Sequence, residues 1–159
     1  TEEVKTNDVS HRIKQGEVGI VVEFGRPGIG VYFREVQKAT RVLAEAGVTF
    51  EQGNPVYQMM TDTAKGDIRE DVHDEKVLSC IVEITTTIND TIATLNILKE
   101  ICKTADTVIS IGVSTICDKD GEEPLRDILT QAGYETGWAK LNLGFGRATD
   151  LAFTNEENL

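Results

Sequence analysis

A turn rich in hydroxyl side chains is the part of this 159-residue chain most suited to chemistry. Residues 85–91 read Thr-Thr-Thr-Ile-Asn-Asp-Thr and lie between an apolar run at 76–84 and a helical pattern at 92–102. Backbone N–H groups at the start of a helix favour a bound anion, and hydroxyl and amide side chains add donors. The alternative is that these side chains only cap the helix. We predict a phosphate-binding site formed by Thr85, Thr86, Thr87, Asn89, Asp90 and Thr91.

Glu83 is an acidic residue within the apolar run that precedes this turn. Burying a carboxylate without a partner is costly, so we expect Glu83 to meet a partner in the folded chain. A sugar diol, a magnesium ion or a neighbouring cation would each serve, and a purely structural partner is the alternative. We predict that Glu83 is catalytic and is the ligand of a Mg²⁺ ion.

A second candidate anion site is the glycine-rich segment 25–30, which reads Gly-Arg-Pro-Gly-Ile-Gly. Its glycines permit a close approach of the backbone to a ligand. The guanidinium of Arg26 can make two parallel hydrogen bonds to a phosphate. We predict that Arg26 and Gly28 bind phosphate or substrate, and the alternative is a tight turn between a strand and a helix.

The segment 61–75 has little apolar periodicity and is long for a plain connection, which is typical of lids and of solvated loops. If it is a lid, Lys65 and Arg69 are placed to close over an anionic ligand, and we predict a catalytic role for both. His73 lies near acidic residues, but the spacing matches no metal-binding motif.

Apolar runs alternate with helical patterns along the chain. Strands are predicted at 17–24, 48–50, 76–84, 108–113 and 137–143, and helices at 31–46, 92–102 and 122–132. Such alternation predicts a single-domain, three-layer α/β fold with a mostly parallel sheet. The candidate turns would then meet at the carboxyl edge of that sheet, where open parallel sheets bind ligands.

Composition narrows the possible functions. The net charge of −11 argues against nucleic-acid binding and against binding to anionic membrane surfaces. The apolar runs are strand-sized, so no membrane span is expected. Three cysteines without C-x-x-C spacing are interpreted as buried thiols, which indicates a reducing cytoplasm. We divide the chain into a polar arm, one α/β domain and an acidic tail, at residues 1–16, 17–148 and 149–159.

The order of elements, together with residues 77–91, resembles the type I phosphoribosyltransferases. In that family an apolar strand, an acidic pair and a threonine-containing loop that opens a helix hold the ribose 5-phosphate of phosphoribosyl pyrophosphate. Residues 77–82, Glu83 and residues 85–91 stand in the matching places. The resemblance implies a phosphoribosyltransferase-like fold, a glycosyltransferase that binds a phosphorylated ribose, and Mg²⁺ as cofactor.

The resemblance also implies roles for the other candidates. The pyrophosphate loop of the family would contain Arg26, and its mobile catalytic loop would contain Lys65 and Arg69. The chain departs from the family at two points, because Ile84 stands in place of the second acidic residue and Asn89 is nearest to the missing loop glycine. These departures imply another phosphorylated ligand or a lost activity.

A second resemblance is to ACT-type amino-acid-binding modules. It rests on Arg26-Pro27-Gly28, the helix that follows, and the sequence Ala-Gly-Val at 46–48. It implies a non-catalytic regulatory module. A third possibility is a structural subunit whose acidic surface and Trp138 meet a partner. For the leading hypothesis we expect a cytoplasmic homodimer that binds a phosphorylated small molecule.

Overall fold

The computed structural model describes residues 12–137 of the chain. The strands are β1 (Glu17–Phe24), β2 (Val31–Tyr32), β3 (Thr49–Phe50), β4 (Met60–Asp62), β5 (Asp67–Ile68), β6 (Lys76–Val77), β7 (Cys80–Thr87) and β8 (Ile109–Ser114). The helices are α1 (Phe33–Glu45), α2 (Pro55–Gln58), α3 (Thr91–Thr104) and α4 (Leu125–Gln131), with a 3₁₀ turn at Glu70–Val72. Within residues 12–137 no helix is long and apolar enough to cross a membrane. The predicted strand at 137–143, Trp138 and the acidic tail at 149–159 lie outside the described residues, as does most of the N-terminal arm.

The main sheet is antiparallel throughout, in the order β3-β7-β1-β8. In the centre of the sheet, Ile20 of β1 lies opposite Ile84 of β7 and Val113 of β8. The prediction of a mostly parallel, three-layer sheet is therefore wrong. Strands β7 and β8, joined by α3, run in the same direction as predicted, but β1 is inserted between them. Each strand–helix–strand unit is split in this way, which gives the βαββαβ arrangement of ferredoxin-like folds.

The core lies between the sheet and helices α1 and α3. Alternate residues of β1 are fully buried against these helices: Val18, Ile20, Val22 and Phe24. Because side chains alternate along a strand, the residues between them point to the other face of the sheet. On that open face Ile13 packs over Gly19, and the guanidinium of Arg12 approaches Glu83. The sheet thus has an apolar face toward the helices and a more polar face with charged side chains.

The segment predicted as a lid or a solvated loop packs against α1. Strands β4 and β5 form a hairpin, and β6 pairs with β2. The buried hydroxyl of Thr40 donates to the carbonyl oxygen of Gly66 at 2.6 Å, and the N–H of Ile68 donates to Oε1 of Gln37 at 2.8 Å. His73 completes this contact, with its Nε2 3.1 Å from the same Gln37 oxygen. Polar side chains of α1 thus hold the segment in place.

Candidate functional site

The two predicted phosphate-binding turns lie at opposite ends of the sheet. Because β1 and β7 are antiparallel, Glu17 lies opposite Thr87, and Phe24 lies opposite Cys80. The segment 25–30 leaves the end of β1 near Cys80, whereas the threonine turn leaves β7 at the other end. Seven residue steps of about 3.4 Å separate these ends, which is roughly 24 Å. The structure therefore does not bring the two turns together.

The side chains of the threonine turn bond mainly to one another. Thr87 donates its hydroxyl to Oδ2 of Asp90 at 2.7 Å, and the N–H of Asp90 donates to the Thr87 hydroxyl at 3.2 Å. The buried Thr91 donates to the carbonyl oxygen of Thr87 at 2.9 Å. Thr85 and Thr86 are still within β7 and, as neighbours in a strand, point to opposite faces. These hydroxyls close the turn into α3, and Asn89 is exposed on it.

The carboxylate of Glu83 contacts partner side chains on the open face of the sheet. Its Oε2 accepts a hydrogen bond from Nδ2 of Asn54 at 3.1 Å and lies 3.6 Å from a guanidinium nitrogen of Arg12. The same guanidinium nitrogen lies 3.9 Å from Glu51. Of the partners considered for Glu83, the structure supplies a neighbouring cation. Within residues 12–137 no group of three or more histidine, cysteine or acidic side chains could hold a metal ion, so magnesium binding stays a prediction.

Arg26 is held at the far end of the open face. Its NH2 group donates to Oε2 of Glu23 at 2.9 Å and to the hydroxyl of Ser110 at 2.6 Å. Ser110 in turn donates to the same Glu23 oxygen at 2.9 Å. Gly28, two residues further on, is exposed in the loop with a φ of 90°. Arg26 therefore already neutralises one carboxylate of its own chain.

Lys65 and Arg69 also pair with carboxylates close to them in sequence. Nζ of Lys65 lies 2.8 Å from Asp62, and Nε of Arg69 lies 3.2 Å from Asp71. The hydrogen bond between Lys65 and Asp62 lowers the pKa of the Asp62 carboxyl and raises the pKa of Lys65. Both cations belong to the segment that packs on α1, and neither is the partner of Glu83.

A cavity of about 280 Å³ lies between helix α2 and the start of β7, and we call it the α2–β7 cavity. Its lining is mainly apolar and includes Phe33, Val56, Met59, Val77, Cys80 and Ile81. A second cleft, on the open face beside Arg12 and Glu83, has a volume of only about 40 Å³. The larger cavity is the better candidate for a ligand site.

Asn54 builds one wall of the α2–β7 cavity. It is 3% exposed, and its side-chain oxygen accepts a hydrogen bond of 2.9 Å from the N–H of Val56, which caps the start of α2. Pro55 occupies the first turn of this helix, where a missing N–H costs nothing. Asn54 is not among the site residues predicted from sequence, although Asn-Pro is a turn signal and asparagine a preferred helix cap.

Cys80 lines the cavity as a protonated thiol. Burial raises its pKa to about 12, so it is not suited to act as a nucleophile near neutral pH. The interpretation of the cysteines as buried thiols holds only in part for Cys80, which is half-buried. It does not fit Cys102 and Cys117, which are exposed.

Comparison with known proteins adds no functional assignment. No protein-family model matches the chain, and no curated protein or solved structure matches it either. The resemblances to phosphoribosyltransferases and to ACT-type modules therefore stay predictions from sequence.

Proposed function

We propose that this chain is a non-catalytic regulatory module that binds a small, mainly apolar molecule in the α2–β7 cavity. The observation that carries this proposal is the size and lining of the cavity. Its volume of about 280 Å³ exceeds the roughly 150 Å³ that is enough for benzene in an engineered apolar cavity. Apolar walls with a few polar groups are typical of small-molecule sites.

The pairing of charged residues supports a binding role over a catalytic one. Glu83, Arg26, Lys65 and Arg69 each lie next to an oppositely charged side chain of the same chain. Within residues 12–137 these pairs are in separate places, so the four predicted site residues do not converge on one ligand position. The thiol of Cys80 is the titratable group in the cavity lining, and its raised pKa keeps it neutral.

A regulatory module must transmit the presence of its ligand, and Asn54 offers a route. Its side chain caps α2 on the cavity side and donates to Glu83 on the open face. A ligand that displaces α2 would alter this bond and, with it, the contact of Glu83 with Arg12. The open face would then differ between the free and the bound protein, which is what a partner or a second copy could sense.

The phosphoribosyltransferase hypothesis is less well supported by this geometry. Its two phosphate-binding turns lie roughly 24 Å apart along β1. One phosphoribosyl pyrophosphate molecule would have to contact both. The cytoplasmic location and the homodimer remain proposals, the first resting on the cysteines and on the absence of C-x-x-C spacing.

The test is a titration of the ¹⁵N-labelled full chain with apolar fragments of about the size of indole, followed by NMR. We expect amide shifts at Met59, Cys80 and Ile81 that saturate with fragment concentration. Cys80→Trp should fill enough of the cavity to exclude an indole-sized fragment and abolish these shifts. Cys102→Trp makes the same change at an exposed thiol and should leave them intact. Shifts that survive Cys80→Trp, or no saturable shifts in the wild type, would refute the cavity as a ligand site.

A further inference from the structure

We infer that the ligand of the α2–β7 cavity carries a secondary amide next to an apolar group, and that this amide pairs with the backbone of Ile81. The inference rests on the proposed function, because it names the chemistry of the molecule that occupies the cavity. Short apolar peptides and N-acylated amino-acid amides belong to this chemical class.

The hydrogen-bond pattern of the sheet fixes the direction of the Ile81 backbone groups. The N–H of Gly25 donates to the carbonyl oxygen of Val108 at 2.9 Å, in continuation of the β1–β8 register. Antiparallel ladders alternate, so the odd-numbered residues of β1 bond toward β8 and the even-numbered ones toward β7. Val22 and its partner Val82 therefore bond to each other across β1 and β7. Ile81, one residue earlier, directs its N–H and C=O away from β1.

On that other side of β7, the neighbouring strand stops before it reaches Ile81. The N–H of Glu51 donates to the carbonyl oxygen of Glu83 at 2.9 Å, which is the last bond of the ladder between β3 and β7. The chain then turns, with the N–H of Asn54 donating to the carbonyl oxygen of Glu51 at 3.1 Å. Within residues 12–137 no strand continues the ladder to Ile81, and the space beside it is the α2–β7 cavity.

This arrangement determines which hydrogen-bonding groups a ligand needs. In an antiparallel strand pair, the N–H and C=O of one extended residue bond to the C=O and N–H of the residue opposite. A ligand with one extended residue can therefore bond in the same way to the N–H and C=O of Ile81.

Residues that lie opposite each other in the ladder share a face of the sheet, as Phe50 and Ile84 do. A side chain on the ligand residue opposite Ile81 would therefore lie on the open face with Ile81. The apolar group must be at the neighbouring ligand position to contact the cavity walls formed by Phe33, Val56 and Met59. Buried backbone groups are strongly favoured to find partners, which gives the amide an advantage over a purely apolar ligand.

The test compares three ligands by isothermal titration calorimetry with the full wild-type chain. The first is N-isovaleryl-glycine methylamide, whose glycine N–H and C=O point to the same side and whose isovaleryl group takes the neighbouring position. In the second, an ester oxygen replaces that glycine N–H. In the third, which is N-isovaleryl-glycine dimethylamide, a methyl group replaces the hydrogen of the other amide nitrogen, whose N–H points away from Ile81 in the paired geometry.

We expect the first and third ligands to bind alike and the second to bind about tenfold more weakly, because one hydrogen bond to the Ile81 carbonyl is lost. Cys80→Trp should abolish the binding of all three. Equal affinity of the three ligands would overturn the inference. Failure of the methylamide to bind, while the indole-sized fragments shift the cavity residues, would also overturn it and leave the proposed function standing. If the fragments fail as well, both are wrong.

Discussion

The side-chain amide of Asn54 donates a 3.1 Å hydrogen bond to the carboxylate of Glu83, and so joins the α2–β7 cavity to the open face of the sheet. The same side chain caps α2 through the N–H of Val56. Glu83 in turn lies 3.6 Å from a guanidinium nitrogen of Arg12. A single buried amide therefore links a candidate ligand site with a charged surface.

A double-mutant cycle can measure this connection. Asn54→Ala and Glu83→Ala should each lower the free energy of unfolding, and the two effects should be coupled by about 1 kcal/mol. Asn54→Ala also removes the helix cap, so its own cost should be the larger, roughly 1–2 kcal/mol beyond the lost bond to Glu83. Urea unfolding of the four proteins gives the values.

The control for this cycle pairs Asn54→Ala with Glu23→Ala. Glu23 is also a carboxylate on the open face, but it bonds to Arg26 and Ser110. The losses of unfolding free energy caused by Glu23→Ala and by Asn54→Ala should be additive to within about 0.5 kcal/mol. Coupling that is equally strong in both cycles would show that the bond between Asn54 and Glu83 has no special role.

The half-buried thiol of Cys80 should make stability depend on alkaline pH. Burial raises its pKa from an ordinary value of 9.0 to about 12 in the folded chain. Because the folded pKa is the higher one, its contribution is complete below pH 9 and is lost as the pH rises from 9 toward 12. The unfolding free energy should fall with pH between pH 9 and 11, and Cys80→Val should make this slope shallower by up to about 1.4 kcal/mol per pH unit. Identical slopes for the two proteins would mean that the thiol is accessible to water.

Gly66 should be indispensable for the packing of the segment 61–75 on α1. It has a φ of 74°, and a Cβ at this position would overlap the carbonyl group of Thr40. We expect Gly66→Ala to cost about 3 kcal/mol or more, because it adds a backbone clash to the strain of the left-handed conformation. Gly133→Ala is the matched control, since Gly133 has a φ of 79° but nothing within 4 Å of the added carbon. It should cost only about 1–2 kcal/mol in thermal unfolding, and a similar cost for both would exclude the clash.

The separation of the two phosphate-binding turns predicts the outcome of a ligand test for the transferase hypothesis. Phosphoribosyl pyrophosphate with Mg²⁺ should not raise the Tm, because Arg26 and the turn at 85–91 lie at opposite ends of β1 and cannot both contact one molecule. A ligand at about 100 times its Kd would add about 2.7 kcal/mol, a rise of several degrees. Such a rise, lost in both Arg26→Ala and Thr87→Ala, would restore that hypothesis.

The positions of the main elements could be predicted from the sequence, because each depends on local patterns. The apolar run at 17–24 coincides with β1, and the predicted helix at 31–46 contains α1 (Phe33–Glu45). The stripe at 92–102 lies within α3 (Thr91–Thr104). Strand alternation and helical periodicity are properties of neighbouring residues, so they survive in the folded chain.

The arrangement of the strands could not be predicted in the same way. The apolar run at 76–84 is typical of a strand buried on both faces, yet Glu83 and Thr85 face the open side and only Val82 and Ile84 are deeply buried. Whether a strand–helix–strand unit keeps its strands adjacent or admits a third strand depends on contacts far apart in sequence. The insertion of β1 between β7 and β8 is such a contact, and it moved the predicted turns to opposite ends.

The cavity could not be predicted from the sequence, for a related physical reason. It exists because β3 stops at Phe50 and α2 replaces the strand beside Ile81. The Asn-Pro pair at 54–55 indicates a turn, but nothing local to it specifies the space that opens between the turn and β7. A site formed by the early end of a strand becomes visible only with the tertiary structure.

The most direct test of the ligand site is an isotope-filtered nuclear Overhauser measurement with N-isovaleryl-glycine methylamide and methyl-labelled methionine. The chain has two methionines, Met59 in the cavity lining and its neighbour Met60 in β4, so the second is an internal control. We predict contacts from the isovaleryl methyl groups to Met59 and to the ring of Phe33, and none to Met60. Contacts that appear only at residues 25–30 or 85–91 would contradict the account and return the function to the phosphate-binding turns.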